Sequence, residues 1–141
     1  MIGERYCLKC GGSLPPLLLI PRISRSHNWY LRKCGPVVRG DVYRFRPNDK
    51  RGHKQSGARF AVVLQSDDLL LSTALVAPTS TSARGTVFRP TVEINGQPTQ
   101  VMTEQITVID PQGELGERVG RLSPREMLEL DEAIKLVLGL F

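Results

Sequence analysis

The chain has 141 residues, 40% of them apolar, with a formal net charge of +5 and three cysteines. That length holds one core and a tail, because a domain of about 100 residues already buries well over half of the surface its unfolded chain exposes. All three cysteines fall at or before Cys34 and the apolar run Leu17 to Ile20 is only four residues, which excludes a disulfide framework, a signal-peptide core and a membrane span, and makes the cytoplasm the expected location.

Residues 1–36 carry no sustained period of 2 or 3.6 and are expected to be an extension without a core. Arg5, Lys9, Arg22, Arg25, Arg32 and Lys33 stand there against Glu4 alone, so the whole net charge lies in this segment and the remainder balances. Two readings are open: a basic arm that adds nonspecific affinity for nucleic acid, or sequence upstream of the true start, since a complete domain pattern begins at residue 37 and an alternative valine start is conceivable. Cys7 and Cys10 have the spacing of half a zinc knuckle, but only Cys34 and His27 remain to complete four ligands, and no metal site is expected.

Arg39-Gly-Asp-Val-Tyr-Arg-Phe-Arg46 alternates, predicting a first strand with Tyr43 and Phe45 toward the core and Val42, Arg44 and Arg46 on the other face. Residues 47–57 then offer loop signals and no apolar residue. Lys50, Arg51, His53 and Lys54 cluster in this basic loop, which is either a solvated excursion or a lid over a phosphate-binding surface. Next comes Arg59 followed by five consecutive apolar residues, Phe60 to Leu64, and the polar exit Gln65-Ser-Asp67. Too short for a buried helix, the run predicts a central strand that needs cover on both faces and delivers a cation to its edge.

Leu75 to Ala77 is a second buried run, and it ends in the hydroxyl cluster Thr79-Ser-Thr-Ser82. Hydroxyls at a strand end can donate to phosphate oxygens without adding charge, though an ordinary polar loop start reads the same way. Thr86 to Ile94 predicts a further strand, placed at an edge or bulge by Pro90. Ile94-Asn-Gly-Gln97 predicts a tight turn leading to Val101. Glu104 to Asp110 predicts another strand with Ile106 and Val108 on one face, and Arg118 to Leu122 a short last one. Ser123-Pro-Arg-Glu126 opens a helix with an N-cap, a proline at the first position and a capping box, and Met127, Leu130, Ile134 and Val137 recur at helical spacing up to Gly139. The pattern is mainly β with α: a small half-open barrel carrying a C-terminal helix.

Residues 37–141 contain no P-loop, His-Glu-x-x-His, nucleophile elbow or cysteine. Arg59, the hydroxyls, Glu104 and the basic loop are suited to bind a phosphodiester and stabilise developing negative charge. RNA makes such a set sufficient, because its own 2′-hydroxyl is the nucleophile and the protein need only orient it, stabilise charge and move protons. No cofactor is expected.

Arg39-Gly-Asp-Val-Tyr43, Gly57-x-Arg59 leading into Ala-Val-Val-Leu-Gln-Ser-Asp67, Val-Ala-Pro-Thr-Ser-Thr81, Glu104-Gln-Ile-x-x-Ile-Asp110 and Gly120-x-Leu-Ser-x-x-Glu-Met127 together resemble the MazF/PemK/Kid toxin family of type II toxin-antitoxin modules, in order and over about residues 38–140. The resemblance implies an SH3-like small β-barrel with a C-terminal helix (the CcdB/Kid-like toxin fold). It also implies a homodimer, and a metal-independent, sequence-specific endoribonuclease that cuts single-stranded RNA to 2′,3′-cyclic phosphate and 5′-hydroxyl ends. An antitoxin of MazE type, with an acidic segment, is the implied protein partner.

By position, Arg59 matches the family's catalytic arginine, with Phe60 where the family has proline. The second catalytic residue falls at Ser80, with Thr79 as its rival. Arg46, Arg51, Lys54, Thr81 and Arg84 are the implied RNA contacts, together with His53, which is either a general acid or merely solvated. Glu104 is either a helper carboxylate or the ion-pair partner of Arg59. The alternative within the same architecture is a CcdB-like gyrase-binding toxin without nuclease activity; that family ends in a tryptophan-containing tail, whereas this chain ends Leu138-Gly-Leu-Phe141 and has its only tryptophan at Trp29.

Overall fold

The computed structural model describes residues 37–48, 57–69 and 71–141. Among the described residues seven strands and two helices follow one another: β1 Asp41–Phe45, β2 Arg59–Val63, β3 Ala74–Ser80, β4 Thr91–Ile94, β5 Gln97–Val101, β6 Thr107–Ile109, α1 Pro111–Glu114, β7 Leu115–Arg121 and α2 Pro124–Leu138. The strands form one antiparallel sheet in the order β4-β5-β3-β2-β1-β7, with β6 also paired to β3.

β2 sits at the centre, and its alternation feeds two separate cores. Val62 and Leu64 join Val42, Ala77, Val101 and Leu130 beneath α2, while Ala61 and Val63 join Phe45, Val76, Ile109 and Leu115 on the opposite face. This double burial accounts for a strand that is apolar at every position rather than at every second one. It also corrects the expected polarity of β1. Phe45 is core as anticipated, but Val42, placed on the outward face by the sequence, is only 2% exposed because α2 covers that face. Tyr43 is half-buried against the second core.

The two ends of the sheet are tied by charge. Asp41 is buried and accepts from Arg118 of β7 at 2.9 and 3.0 Å, with Arg121 at 3.7 Å. The hydrogen bond to Asp41 holds the Arg118 guanidinium above its ordinary pKa. At the other edge, Glu126 completes the capping box of α2 with Ser123 and also accepts from the Glu93 N–H of edge strand β4 at 2.8 Å. The helix start is thereby fastened to an otherwise unpaired strand edge.

Three expected strands differ in extent. β4 begins at Thr91 rather than Thr86, since residues 81–90 turn back on themselves, with Arg89 N–H donating to Thr86 O. The last strand begins at Leu115, three residues early, after the one-turn helix α1. Residues 103–105 form a 3-10 turn, and only Thr107–Ile109 pair as a strand.

Pro78 accounts for that interruption. β5 pairs with β3 at Thr79 and Ser80, and β6 pairs with the same edge at Ala74 to Val76. Between them lies Pro78, which has no N–H to offer, so only its carbonyl is used, by Met102 N–H at 2.9 Å. The chain loops outward there and rejoins the ladder at Thr107. Val108 follows with 59% exposure, so it does not share the burial of Ile106.

Candidate active site at one end of the sheet

Arg59 is the first residue of β2, just after Gly57, whose φ of 93° belongs to the left-handed region that suits glycine. Its guanidinium donates from Nη1 to the Thr79 carbonyl of β3 at 3.4 Å and from Nε to the Gly57 carbonyl at 3.4 Å. Burial pulls its pKa down from the ordinary arginine value. It remains a cation at neutral pH, in a setting where its field is less screened than in water.

Thr79 and Ser80 end β3 and are separated by the strand's alternation. Thr79 lies on the α2 side with Ala77; it is 2% exposed and its Oγ1 donates to the Phe60 carbonyl at 3.0 Å. Ser80 lies on the other face. Ala61 pairs with Pro78, and continuing that register by two residues sets Arg59 opposite Ser80 on one face of the sheet. The Ser80 hydroxyl accepts from Ala83 N–H at 3.1 Å and lies 3.3 Å from Ser82 Oγ. An arginine side chain and a strand-end hydroxyl therefore share one face at one end of the central strands.

Other expected site residues scatter around this pair. Thr81 and Arg84 are exposed on the 81–90 segment, and Arg46 is exposed just beyond β1, its backbone N–H donating to Glu114 O at 3.0 Å. Arg51, His53 and Lys54 lie outside the described residues. Glu104 requires a correction: its partner is Arg89, at 2.6 Å from Nη2 and 2.8 Å from Nε, and not Arg59. The 3-10 turn carries Glu104 out of the ladder, and the segment containing Arg89 is fastened beside it by the hydrogen bond of Thr103 Oγ1 to Phe88 O.

The sequence reading also missed Arg89 and Gln100, which no motif marks. Phe60 is half-buried beside the core, with the Arg44 guanidinium 5.8 Å above its ring. Among the described residues no three of His, Cys, Asp and Glu gather where they could hold a metal ion, and no helix is long and apolar enough to cross a membrane.

Residues 38–138 match the family described as PemK-like, MazF-like toxin of type II toxin-antitoxin system. The chain belongs to that toxin family. A Mycobacterium tuberculosis H37Rv protein that carries the name of a toxin is 41% identical over 105 residues, which are 74% of this chain and 99% of that one. Among solved structures, MazF from Deinococcus radiodurans superposes with a TM-score of 0.66 at 20% identity, covering 74% of this chain and 97% of its own. An endoribonuclease in complex with its cognate antitoxin, from a mycobacterial species, gives 0.63 at 19% identity, covering 75% and 98%. The half-barrel sheet with a C-terminal helix is thus the fold of MazF toxins, and Arg59 and Ser80 lie inside the span matched to the family.

Proposed function

We propose that this toxin is a metal-independent, sequence-specific endoribonuclease that cleaves single-stranded RNA, with Arg59 and Ser80 as its catalytic residues. In the proposed step the substrate's 2′-oxygen attacks the adjacent phosphorus while the bond from phosphorus to the 5′-oxygen breaks. The 2′-hydroxyl proton leaves and a proton is delivered to the departing 5′-oxygen, giving 2′,3′-cyclic phosphate and 5′-hydroxyl ends. Arg59 stabilises the extra negative charge on the phosphorane oxygens, and Ser80 donates a hydrogen bond to the same group. The observation that carries the reading is the placing of Arg59 and Ser80 on one face at one sheet end, with the guanidinium held by the Thr79 carbonyl at 3.4 Å. Family membership and the endoribonuclease relative support it.

Arg46, Thr81 and Arg84 are the exposed groups proposed to meet RNA phosphates and sugars, together with Arg51, His53 and Lys54 of the basic loop. Residues 37–141 are taken as the toxin domain, acting as a homodimer neutralised by a cognate antitoxin with an acidic segment.

Incubating the full chain with a long single-stranded RNA in EDTA and mapping the cut ends tests the reading. Cuts at a defined sequence with cyclic phosphate ends are expected. Arg59→Ala should lower the rate on the order of 100- to 1,000-fold, the usual loss on removing one group that stabilises an oxyanion. Intact RNA in the presence of folded protein, or undiminished cutting by Arg59→Ala, rejects it.

A further inference from the structure

A transverse row of side chains crosses the sheet at the site end. Phe45 of β1 pairs with Arg59 of β2, Ser80 of β3 with Gln100 of β5, and Gln100 with Thr91 of β4. Gln100 is the member of this row that is joined directly to the Ser80 turn without itself being a candidate for the chemistry. In the amide orientation that satisfies every neighbour, its nitrogen donates to the Ser80 carbonyl at 3.3 Å and the Ala83 carbonyl at 3.2 Å, and its oxygen accepts from Thr91 Oγ1 at 3.0 Å. Those two carbonyls belong to the residues whose turn is closed by Ala83 N–H donating to Ser80 Oγ. The turn that aims the Ser80 hydroxyl is therefore held twice, once by Ser80 itself and once across the strand by Gln100.

Serine lacks the branch that restricts χ1 in threonine, so its hydroxyl direction must come from its surroundings. An amide is the side chain suited to the task here, since two carbonyls need two donors and the Thr91 hydroxyl needs an acceptor. Leucine at this place would leave the carbonyls without their donor, and a carboxylate would turn negative oxygens toward them.

We infer that Gln100 is a positioning residue for Ser80, orienting its hydroxyl through the 80–83 turn, an inference that rests on the proposed role of Ser80 in RNA cleavage. The test is steady-state RNA cleavage by the full chain as wild type, Gln100→Leu, Gln100→Glu, Ser80→Ala and the Gln100→Leu/Ser80→Ala double variant, with a melting curve for each.

Gln100→Leu should lose kcat on the order of 100-fold with little change in KM, the penalty of a reacting group displaced by about 1 Å. In the Ser80→Ala background the same change should cost nothing further. For Gln100→Glu, activity relative to wild type should rise as pH falls through the titration of the new carboxyl, because only the protonated form offers a donor. Wild-type kcat in Gln100→Leu, or an equal loss in both backgrounds, overturns the inference. Should Gln100→Leu fail to fold, the Gln100→Glu pH profile decides, and a flat one overturns it. Full activity in Ser80→Ala removes the proposed role of Ser80 itself, and the positioning role with it, whatever Gln100 does.

Discussion

Thr79 and Ser80 are neighbours with nearly the same chemistry, yet the strand sends them to opposite faces. Thr79 is sealed beneath the helix side of the sheet, its hydroxyl already donating to Phe60 O. Replacing it by valine keeps the shape and removes a buried hydrogen bond, so Thr79→Val should lower stability by about 1 kcal/mol in urea denaturation. RNA cleavage by the folded variant should remain within a few-fold of wild type. Ser80→Ala leaves Ala83 N–H without its acceptor and should likewise cost about 1 kcal/mol, but it should cripple cleavage by the folded protein. The opposite pattern would move the proposed catalytic hydroxyl to Thr79.

At the scale of elements, α2 depends on a carboxylate with three donors. Burial pushes the Glu126 carboxyl up, but the hydrogen bonds from Glu93 N–H, Ser123 N–H and Ser123 Oγ outweigh it, and its pKa lies below the ordinary glutamate value. A carboxylate depressed on folding contributes stability that is present above its unfolded pKa of about 4.3 and is lost as pH falls through the folded value. Glu126→Ala should therefore lose about 1 kcal/mol at neutral pH, the ordinary value of a helix cap. In denaturation series the gap between variant and wild type should close as pH drops below about 4. A gap that persists unchanged in acid would show that packing, and not the carboxylate, carries the effect.

β3 shows a different dependence. Its proline is tolerated in a central strand because Pro78 sits where one edge changes partner from β6 to β5. The same exchange leaves Thr103, Glu104 and Gln105 out of the ladder.

Across the whole molecule, two cores share one sheet, and α2 closes the first of them through Leu130, with Met127 and Ile134 packed against it. Leu130 is fully buried, so Leu130→Ala should cost about 3 kcal/mol in urea denaturation, whereas exposed Leu128 should tolerate alanine. Charge is organised separately from these cores. Arg84 and Arg46 are exposed, and in the proposed complex each neutralises a phosphate. Arg84→Ala should reduce the slope of log affinity against log salt for a single-stranded RNA by about 0.7, the value per phosphate contact. An unchanged slope would place Arg84 outside the RNA path.

The features legible in the chain were those written in consecutive residues. The capping box of α2, the Asn95-Gly96 turn with φ of 52° and 73°, and the apolar run of β2 each depend on backbone geometry and local hydrogen bonding within a few positions. Five short motifs in order were enough to indicate the family, and Arg59 among them. What the sequence left open was decided by partners far along the chain. Val42 is buried because α2 lies over it, and Glu104 meets Arg89 because Pro78 breaks the ladder. Thr79 and Ser80 take opposite sides of β3, only one of which faces the helix, and Gln100 reaches the Ser80 turn only through the register of β5. Periodicity tells which residues share a face, but burial and ion pairing need the neighbour that arrives from elsewhere, and only the tertiary structure supplies it.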